Sequence, residues 1–258
     1  MKGNILEKIR RLNWVLSEST TGSLSYSDLS GILSEIINAN VLITDISGKV
    51  LGAGYTNVED SSTIEDELGN EKLTDFHTNS FLMVEETVEN LMGEESTGIL
   101  GENYGNADKY HCIVPIFCGG ERMGTLIVAR YDAIFDEVDI ALCEYGSTVV
   151  GIEIKRNNNL AMEAAKRLMD AVDIAVQSLS YTEKEALSKI MNDFEGDEGN
   201  IIVSKIAGTH SITNSVVVNA LRKLESAGVL KSRSLGMKGT HIKITNPYFR
   251  EKVESMII

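Results

Sequence analysis

The sequence predicts an α+β protein with an N-terminal α+β domain, a long helical linker and a C-terminal winged helix-turn-helix. Three observations support this fold class. Apolar strands and amphipathic helices alternate through residues 1–155, a proline-free stretch with helical apolar spacing covers about 135–178, and basic residues are concentrated after residue 203. We therefore expect one domain at 1–155 and another at 180–258, connected by the helix at about 135–178.

Length and composition describe an ordinary globular protein. With 258 residues the chain exceeds the usual single-domain size, and its 43% hydrophobic and 24% charged residues are enough to build buried cores. No apolar run approaches the ~20 residues that span a bilayer, and the charged start MKGNILEKIRR is unlike a signal peptide. We expect a cytoplasmic protein without a membrane segment.

The cysteines and histidines show no pattern typical of metal binding or catalysis. Three cysteines form no CxxC pair, and the four histidines form no HExxH motif or Cys/His cluster. We therefore expect reduced, partly buried thiols and no structural metal. An enzyme with a regulatory winged helix would need a nucleophile and base in residues 1–155, and none is evident, so we predict no catalytic residues.

Helices and hairpins alternate through the predicted N-terminal domain. Apolar residues at helical spacing predict a helix over 3–18, and the run SDLSGILSEIINA predicts a second helix capped by Ser27. The runs NVLITDISGKVLGAGY and HCIVPIFCGGERMGTLIVARY each predict two strands, with turns at Ser47-Gly48 and Gly119-Gly120. The other predicted elements are helical stretches at Thr63–Leu68 and Thr74–Phe81 and a long mobile loop at 93–110.

The linker and the start of the second domain are predicted to be helical. No proline interrupts Phe135–Ser178, where apolar residues recur at helical spacing, so we expect one long helix or two abutting ones. In the following run SYTEKEA, Thr182 and Glu185 fit a capping box that opens another helix.

The motif that indicates function lies in the second domain. A short helix containing Ser204, a turn, and a longer helix capped by Thr213 predict a helix-turn-helix over 203–222. Gly228 ends the longer helix, and two strands flanking a glycine-containing turn predict a wing over 229–245. The residues of the longer helix expected to face inward are Val216, Val217, Ala220, Leu221 and Leu224.

The charge of this motif favours DNA as its partner. The range Val203–Arg250 holds eight basic residues and one acidic residue, a charge of +7, which leaves −21 on the rest of a chain whose net charge is −14. In a helix-turn-helix the second helix reads base edges, where Asn suits adenine and Arg or Lys suits guanine or phosphate. The predicted DNA-contacting residues are Ser204, Thr213, Asn214, Ser215, Val218, Asn219, Arg222, Lys223, Arg233, Ser234, Lys238, Gly239 and Thr240.

Runs along the whole chain resemble one known family. NALRKLESAGV followed by SRSLGMKGTHIKI, with GGERMGTL, EYGSTVVGIEI and SLSYTEKEA before them, resemble the CodY family, nutrient-responsive global repressors of low-GC Gram-positive bacteria. The resemblance implies a GAF-like sensor domain that binds a branched-chain amino acid (isoleucine, valine or leucine) and a response to GTP. It also implies homodimers that bind an AT-rich palindromic operator in double-stranded DNA and repress nutrient-scavenging and stationary-phase genes.

The resemblance also locates a ligand pocket, from which this sequence departs. The family holds the amino acid's carboxylate with an Arg at the start of a short helix, whereas Asp60–Leu68 has no basic residue. Exposed N–H groups at a helix start formed by Ser61, Ser62 and Thr63 would attract a carboxylate instead. The same residues fit a capped helix packed on a core equally well. The other predicted ligand-binding residues are Leu73, Phe76, Thr97, Gly98, Ile99 and Leu100.

Two further departures concern GTP and the DNA contacts. The run Cys118–Thr125 is rich in glycine but lacks the order of a phosphate-binding loop, so a hairpin turn is favoured and no NTP hydrolysis is expected. In the helix-turn-helix, Ser211 and Asn214 stand where the family has Gly and Arg. Asn214 and Ser215 can still form hydrogen bonds with bases.

An amino-acid sensor that acts mainly through protein partners is the alternative to a DNA-binding repressor. A salt-dependent affinity for duplex DNA distinguishes them, because phosphate contacts release counterions. For the repressor, we expect segments 60–75 and 93–110 to close over the amino acid. This closure would shift the 135–178 helix and with it the spacing of the two winged helices in a dimer.

Overall fold

The structure, a computed structural model, divides into two compact units, Met1–Asn158 and Asn159–Ile258. The division falls inside one continuous helix, so the predicted long helical linker is confirmed. Its last turns pack within the second unit, whereas the predicted domain at 180–258 did not include them. The residues that the structure describes are 5–18, 25–56, 64–65, 69–93, 97–101, 109–131, 133–194, 196–208 and 212–257.

A five-stranded antiparallel sheet organises the first unit, with the strand order β2-β1-β7-β6-β5. Both predicted hairpins are present, and each turns at glycine residues with positive φ, 82° at Gly48 and 62° and 80° at Gly119 and Gly120. The strands of the sheet are β1 (Asn40–Asp45), β2 (Val50–Gly54), β5 (Val88–Leu91), β6 (Tyr110–Cys118) and β7 (Glu121–Arg130), and β3 (Ile64–Glu65) and β4 (Glu71–Lys72) pair separately.

Alternate residues of the central strands serve two separate apolar cores. On β6, Val114 lies in a main core that includes helices α2 and α5, and its neighbour Ile113 lies in a small core with α3 and α4. The small core consists of Leu73, Phe81, Val84, Leu91, Leu100, Ile113 and Ile127. The helices of this unit are α1 (Ile5–Glu18), α2 (Tyr26–Ile37), α3 (Asp75–Leu82), α4 (Thr97–Leu100) and the first part of α5 (Glu137–Gln177).

Three local predictions in this unit are wrong. Ser25, not Ser27, caps α2, because the hydroxyl of Ser25 accepts the N–H of Asp28 at 3.1 Å. The predicted helix at Thr63–Leu68 is contradicted at Ile64–Glu65, which pairs with β4 as a strand; its other residues lie outside the described ranges.

The third is the predicted loop at 93–110, of which 94–96 and 102–108 are not described. It contains the helical turn α4, in which Leu100 is fully buried. Burial of that leucine in the small core gives these residues a packed conformation that their glycine-rich surroundings did not predict.

The second unit has the winged helix-turn-helix topology that the sequence predicts. Two elements were not predicted, the third strand β8 and the C-terminal helix α9. The capping box of α6 also differs from the prediction, since Ser180 and Glu183 form it rather than Thr182 and Glu185. The elements are α6 (Tyr181–Asp193), β8 (Glu198–Ile201), α7 (Val203–Ile206), α8 (Asn214–Ser226), β9 (Leu230–Ser234), β10 (Thr240–Ile244) and α9 (Phe249–Ile257), with the sheet order β8-β10-β9.

The end of α5 is built into this unit. Val172 and Val176 are buried in the winged-helix core. The side-chain amide of Asn246 donates to the carbonyl of Leu168 at 2.8 Å, and Lys252 of α9 lies 2.7 Å from Asp173. A displacement of these turns of α5 is therefore resisted by apolar packing, a partly buried hydrogen bond and an ion pair. Within the described ranges, no helix combines the length and apolar character required for a membrane span.

Candidate nucleic-acid interface and ligand site

Helix α8 has one buried face and one exposed face. Thr213 caps it by accepting the N–H of Val216, as predicted. Val217, Ala220, Leu221 and Leu224 are at most 3% exposed, which confirms the predicted inward face, with Val216 partly buried beside them. This packing fixes the rotation of the helix. The exposed side chains are Asn214, Ser215, Val218, Asn219, Arg222, Lys223, Glu225 and Ser226.

Four of the exposed residues form a stripe along one side of α8. Ser215, Val218, Asn219 and Arg222 are three, four and seven positions apart, so their side chains lie along one face. Val218 is 41% exposed although it is apolar. An isolated exposed valine among hydrogen-bonding residues suits contact with a thymine methyl group in a major groove, where Asn suits adenine.

The wing presents a second set of exposed cations. Arg233 on β9 and Lys238 in the 3-10 turn between β9 and β10 are exposed. Among the described residues, neither has an acidic partner. Gly239 has φ 93°, and a Cβ there would lie 2.3 Å from the carbonyl oxygen of Ile201, so the turn requires glycine.

The remaining predicted contact residues differ in exposure. Ser204 on α7 and Ser234 at the end of β9 are exposed, whereas Thr240 is partly buried where it pairs with Ser234 and Ile201. Ser211 lies outside the described residues. The surface therefore consists of the exposed stripe of α8 together with the tip of the wing.

Acidic side chains neutralise some basic residues of this unit. Glu198 on β8 accepts hydrogen bonds from Lys243 at 2.6 Å and His241 at 3.2 Å. These hydrogen bonds hold the pKa of Glu198 below its ordinary value. Lys223 lies 2.7 Å from Glu183. The structure therefore gives Lys223, which we predicted to contact DNA, a partner inside the protein.

The predicted ligand-binding residues whose side chains are described lie in or next to α3 and α4 of the first unit. Leu73 and Leu100 are 1% and 0% exposed in the small core, with Ile99 packed against it. Phe76 is half exposed, and its ring meets that of His77 edge to face at 5.4 Å between centroids. Gly98 is exposed. Thr97 begins α4, but its side chain is not described, and Ser61, Ser62 and Thr63 lie outside the described residues.

His77 connects the two predicted walls of this site and was missed by sequence reasoning. Its Nε2 lies 2.9 Å from the carbonyl oxygen of Leu100, and its Nδ1 lies 2.8 Å from the hydroxyl of Thr74. A carbonyl can only accept, so Nε2 carries the proton, and in the neutral ring Nδ1 accepts from Thr74. The only sequence signal was its place three residues after the helix cap, which does not reveal a partner in α4.

Asn90 connects the small core to the start of α5. Its side chain donates to the carbonyl of Phe135 at 3.0 Å and accepts the N–H of Phe135 at 2.7 Å. Asn90 has φ 54°, and the β5–β6 register shifts between Val88 and Leu91. A bulge and a left-handed residue thus aim this amide at the residue two positions before α5.

The glycine-rich run and the possible metal ligands can be examined in the described structure. Gly119 and Gly120 form a two-residue hairpin turn between β6 and β7, as the hairpin interpretation predicts. Where side chains are described, no three from His, Cys, Asp and Glu come together as a metal site.

Comparisons with protein families cover nearly the whole chain. The CodY GAF-like domain family matches residues 4–178, and the CodY helix-turn-helix domain family matches residues 197–256. The first match contains the small core and its surroundings. The second contains the exposed stripe of α8 and the wing.

Full-length relatives agree with these matches. The global transcriptional regulator CodY of Clostridium tetani is 41% identical over 255 residues, covering 98% of this chain and 99% of the relative. The regulator of the same name from Lysinibacillus sphaericus is 42% identical over 250 residues, covering 95% and 96%. The cofactor-binding GAF domain of the nutrient sensor CodY from Clostridium difficile is 41% identical, with a TM-score of 0.49, and covers 58% of this chain and 97% of that structure.

Proposed function

Because this chain belongs to the CodY family of global transcriptional regulators, we propose that it is a repressor whose α8 reads an AT-rich operator under the control of a small-molecule effector. The observation that carries this proposal is the exposed stripe of α8. It presents Asn, Ser, Val and Arg side chains from a helix whose opposite face is buried. The family regulates transcription, so the enzyme alternative is set aside.

The exposed stripe of α8, together with the exposed Asn214 at the start of the helix, suits AT-rich DNA by its chemistry. Asn214 and Asn219 offer the bidentate amide that pairs with adenine, and Val218 offers an apolar surface for the thymine methyl. Arg222, Arg233 and Lys238 supply positive charge for the flanking phosphates. We propose that a homodimer places two such helices on the halves of a palindrome, because a two-fold protein matches a two-fold site.

The effector that we propose is a branched-chain amino acid, isoleucine in the first place, bound beside the small core. Leu73, Phe76 and Ile99 offer an apolar environment for an aliphatic side chain. We no longer assign its carboxylate to a helix that starts at Ser61–Thr63, because Ile64–Glu65 forms a strand.

We propose that Asn90 couples effector binding at the small core to the position of α5. A ligand that parts α3 from α4 disturbs the small core, and Leu91 of that core directly follows Asn90. Asn90 holds the backbone of Phe135, and α5 begins two residues later. The far end of α5 is part of the winged-helix core, so a displacement of the helix biases DNA binding.

The remaining parts of the proposal rest on the family resemblance. They are GTP as a second effector, repression of nutrient-scavenging and stationary-phase genes, and action in the cytoplasm, where the DNA is. No GTP site is assigned, because Gly119 and Gly120 form a hairpin turn.

DNA affinity measured with isoleucine and GTP, separately and together, tests the proposed function. The probes are an AT-rich duplex enriched by the full chain from a random pool and a GC-rich duplex of equal length. We expect isoleucine to strengthen binding to the enriched duplex, and calorimetric titration to show heat at millimolar isoleucine. No heat would exclude isoleucine as the effector. An affinity independent of salt would favour the sensor that acts through protein partners, because phosphate contacts produce a steep salt dependence.

A further inference from the structure

Lys223 occupies a junction between three helices of the second unit. It lies on α8, and its ammonium donates to Oε2 of Glu183 on α6 at 2.7 Å. The same ammonium donates to the carbonyl of Ser178, directly after α5, at 3.1 Å. One side chain of the proposed recognition helix therefore bonds both to the end of α5 and to the start of α6.

The carboxylate of Glu183 and the C-terminal end of α5 both favour a nearby positive charge. Glu183 belongs to the capping box of α6, and its side chain is 9% exposed. Burial by itself would raise the pKa of Glu183, but the hydrogen bonds from Lys223 and Ser180 hold it below its ordinary value. Helix α5 has no basic residue in its last turn. Lys223 supplies from another helix the positive charge that favours a helix C-terminus.

The adjacent residue Arg222 provides a contrast. It lies on the exposed stripe of α8, and its guanidinium has no hydrogen bond or ion pair with any residue in the described part of the chain. The two cations differ by one position, which is about 100° around a helix. Both side chains are exposed, that of Lys223 at 43%, but Lys223 is bonded to the α5–α6 junction and Arg222 is not.

We propose that Lys223 is a positioning residue for DNA recognition, which holds α8 at a set orientation to α5 and α6 and does not contact DNA. This inference rests on the proposed role of α8 in reading the operator. Base readout requires side chains to meet base edges within hydrogen-bond distance, whereas phosphate attraction tolerates displacement. A displaced α8 would therefore lose its preference for the operator over other DNA to a greater extent than its general affinity for DNA.

The two kinds of cation have opposite signatures in binding experiments. Removal of a phosphate-contacting cation weakens binding to all sequences and lowers the salt slope by about one. Removal of a positioning cation weakens binding to the operator, spares binding to other DNA, and leaves the salt slope unchanged. General destabilisation would lower the active fraction for both duplexes equally and so would not alter their affinity ratio.

The experiment compares Arg222→Gln, Lys223→Gln, Glu183→Gln and the double variant Lys223→Gln/Glu183→Gln in the full chain. The probes are the enriched AT-rich duplex and the GC-rich duplex, titrated at several salt concentrations. We expect Lys223→Gln to lower the affinity ratio about tenfold with an unchanged slope, on the scale of one charged hydrogen bond. Glu183→Gln should have a similar effect, and the double variant should be no worse than the more affected single one. Lys223→Arg, which keeps the charge and can donate to both acceptors, should lower the ratio less than Lys223→Gln does.

Equal weakening of both duplexes by Lys223→Gln, with a slope reduced by about one, would overturn the inference and make Lys223 a phosphate contact. Additive effects of Lys223→Gln and Glu183→Gln would also overturn it. If wild type does not discriminate between the duplexes, or Arg222→Gln changes neither affinity nor slope, the proposed recognition surface itself fails. That result is distinguishable, because it involves the wild type and Arg222 rather than Lys223.

Discussion

The two predicted binding regions differ in how their residues relate to the hydrophobic cores. On α8 the predicted DNA contacts are exposed, and the residues between them are buried. At the predicted ligand site, Leu73 and Leu100 are themselves buried in the small core. DNA can therefore meet a preformed surface, whereas a ligand between α3 and α4 must displace existing contacts. The difference indicates where a response can arise, because a ligand shifts a conformational equilibrium only by its difference in affinity for the two states.

The DNA surface is expected to give the largest effect. Charge reversal by Arg222→Glu and Lys238→Glu together should cost about 3–6 kcal/mol of operator binding, at about 1.5–3 kcal/mol for each charged contact with a phosphate. Gel-shift titration of the full chain measures the loss. Arg10→Glu with Lys49→Glu makes the same change in net charge at exposed positions of the first unit and should bind nearly as wild type does. Undiminished binding by the first pair would remove this surface from the interface.

The second-largest effect is expected on the buried face of α8. Leu224→Ala removes a fully buried side chain from the winged-helix core and should lower the free energy of unfolding by about 2–5 kcal/mol. Val218→Ala, on the exposed face of the same helix, should change it by less than about 0.5 kcal/mol while weakening operator binding. Urea denaturation separates the two. Equal effects on stability would contradict the division of α8 into a structural and a recognition face.

The link between α3 and α4 is expected to have an intermediate effect. His77→Ala removes the donor to the carbonyl of Leu100 and should cost about 1–3 kcal/mol of local stability. Hydrogen exchange at Thr97–Leu100 should accelerate, and this is the direct measurement. Met83→Ala, a change at an 83% exposed side chain, serves as the control. Unchanged exchange in His77→Ala would mean that the small core alone holds α4 in place.

The smallest effect is a pH dependence at the α5–α6 junction. Because the pKa of Glu183 is lowered in the folded protein, its contribution to stability is present above the unfolded-state pKa and is lost as the pH falls through the folded-state pKa. The difference in urea midpoint between wild type and Glu183→Gln should therefore shrink between about pH 7 and pH 3. Glu185→Gln, on the same helix in a surface pair with Lys189, should show a smaller difference at pH 7. If the difference in urea midpoint between wild type and Glu183→Gln did not depend on pH, the pairing of Glu183 with Lys223 would be contradicted.

Local sequence patterns predicted most elements but placed some caps incorrectly. At the start of α6, Ser180 with Glu183 and Thr182 with Glu185 have the same capping-box spacing, so the sequence alone does not choose between them. Packing decides, because Glu183 also receives Lys223. For the same reason the helix predicted over Thr63–Leu68 was wrong at Ile64–Glu65, where a partner strand is available.

The sequence by itself determined the two-part organisation, both hairpins of the sensor, the long helix, the winged helix and the family. Each of these depends on periodicity, glycine turns or runs of adjacent residues, which are local. Only the tertiary structure decided which cations remain available for DNA and which groups connect the ligand site to its surroundings. Lys223 meets Glu183 across 40 positions of chain, and His77 meets Leu100 across 23. Such pairs form because packing brings distant backbones together, and no local pattern records them.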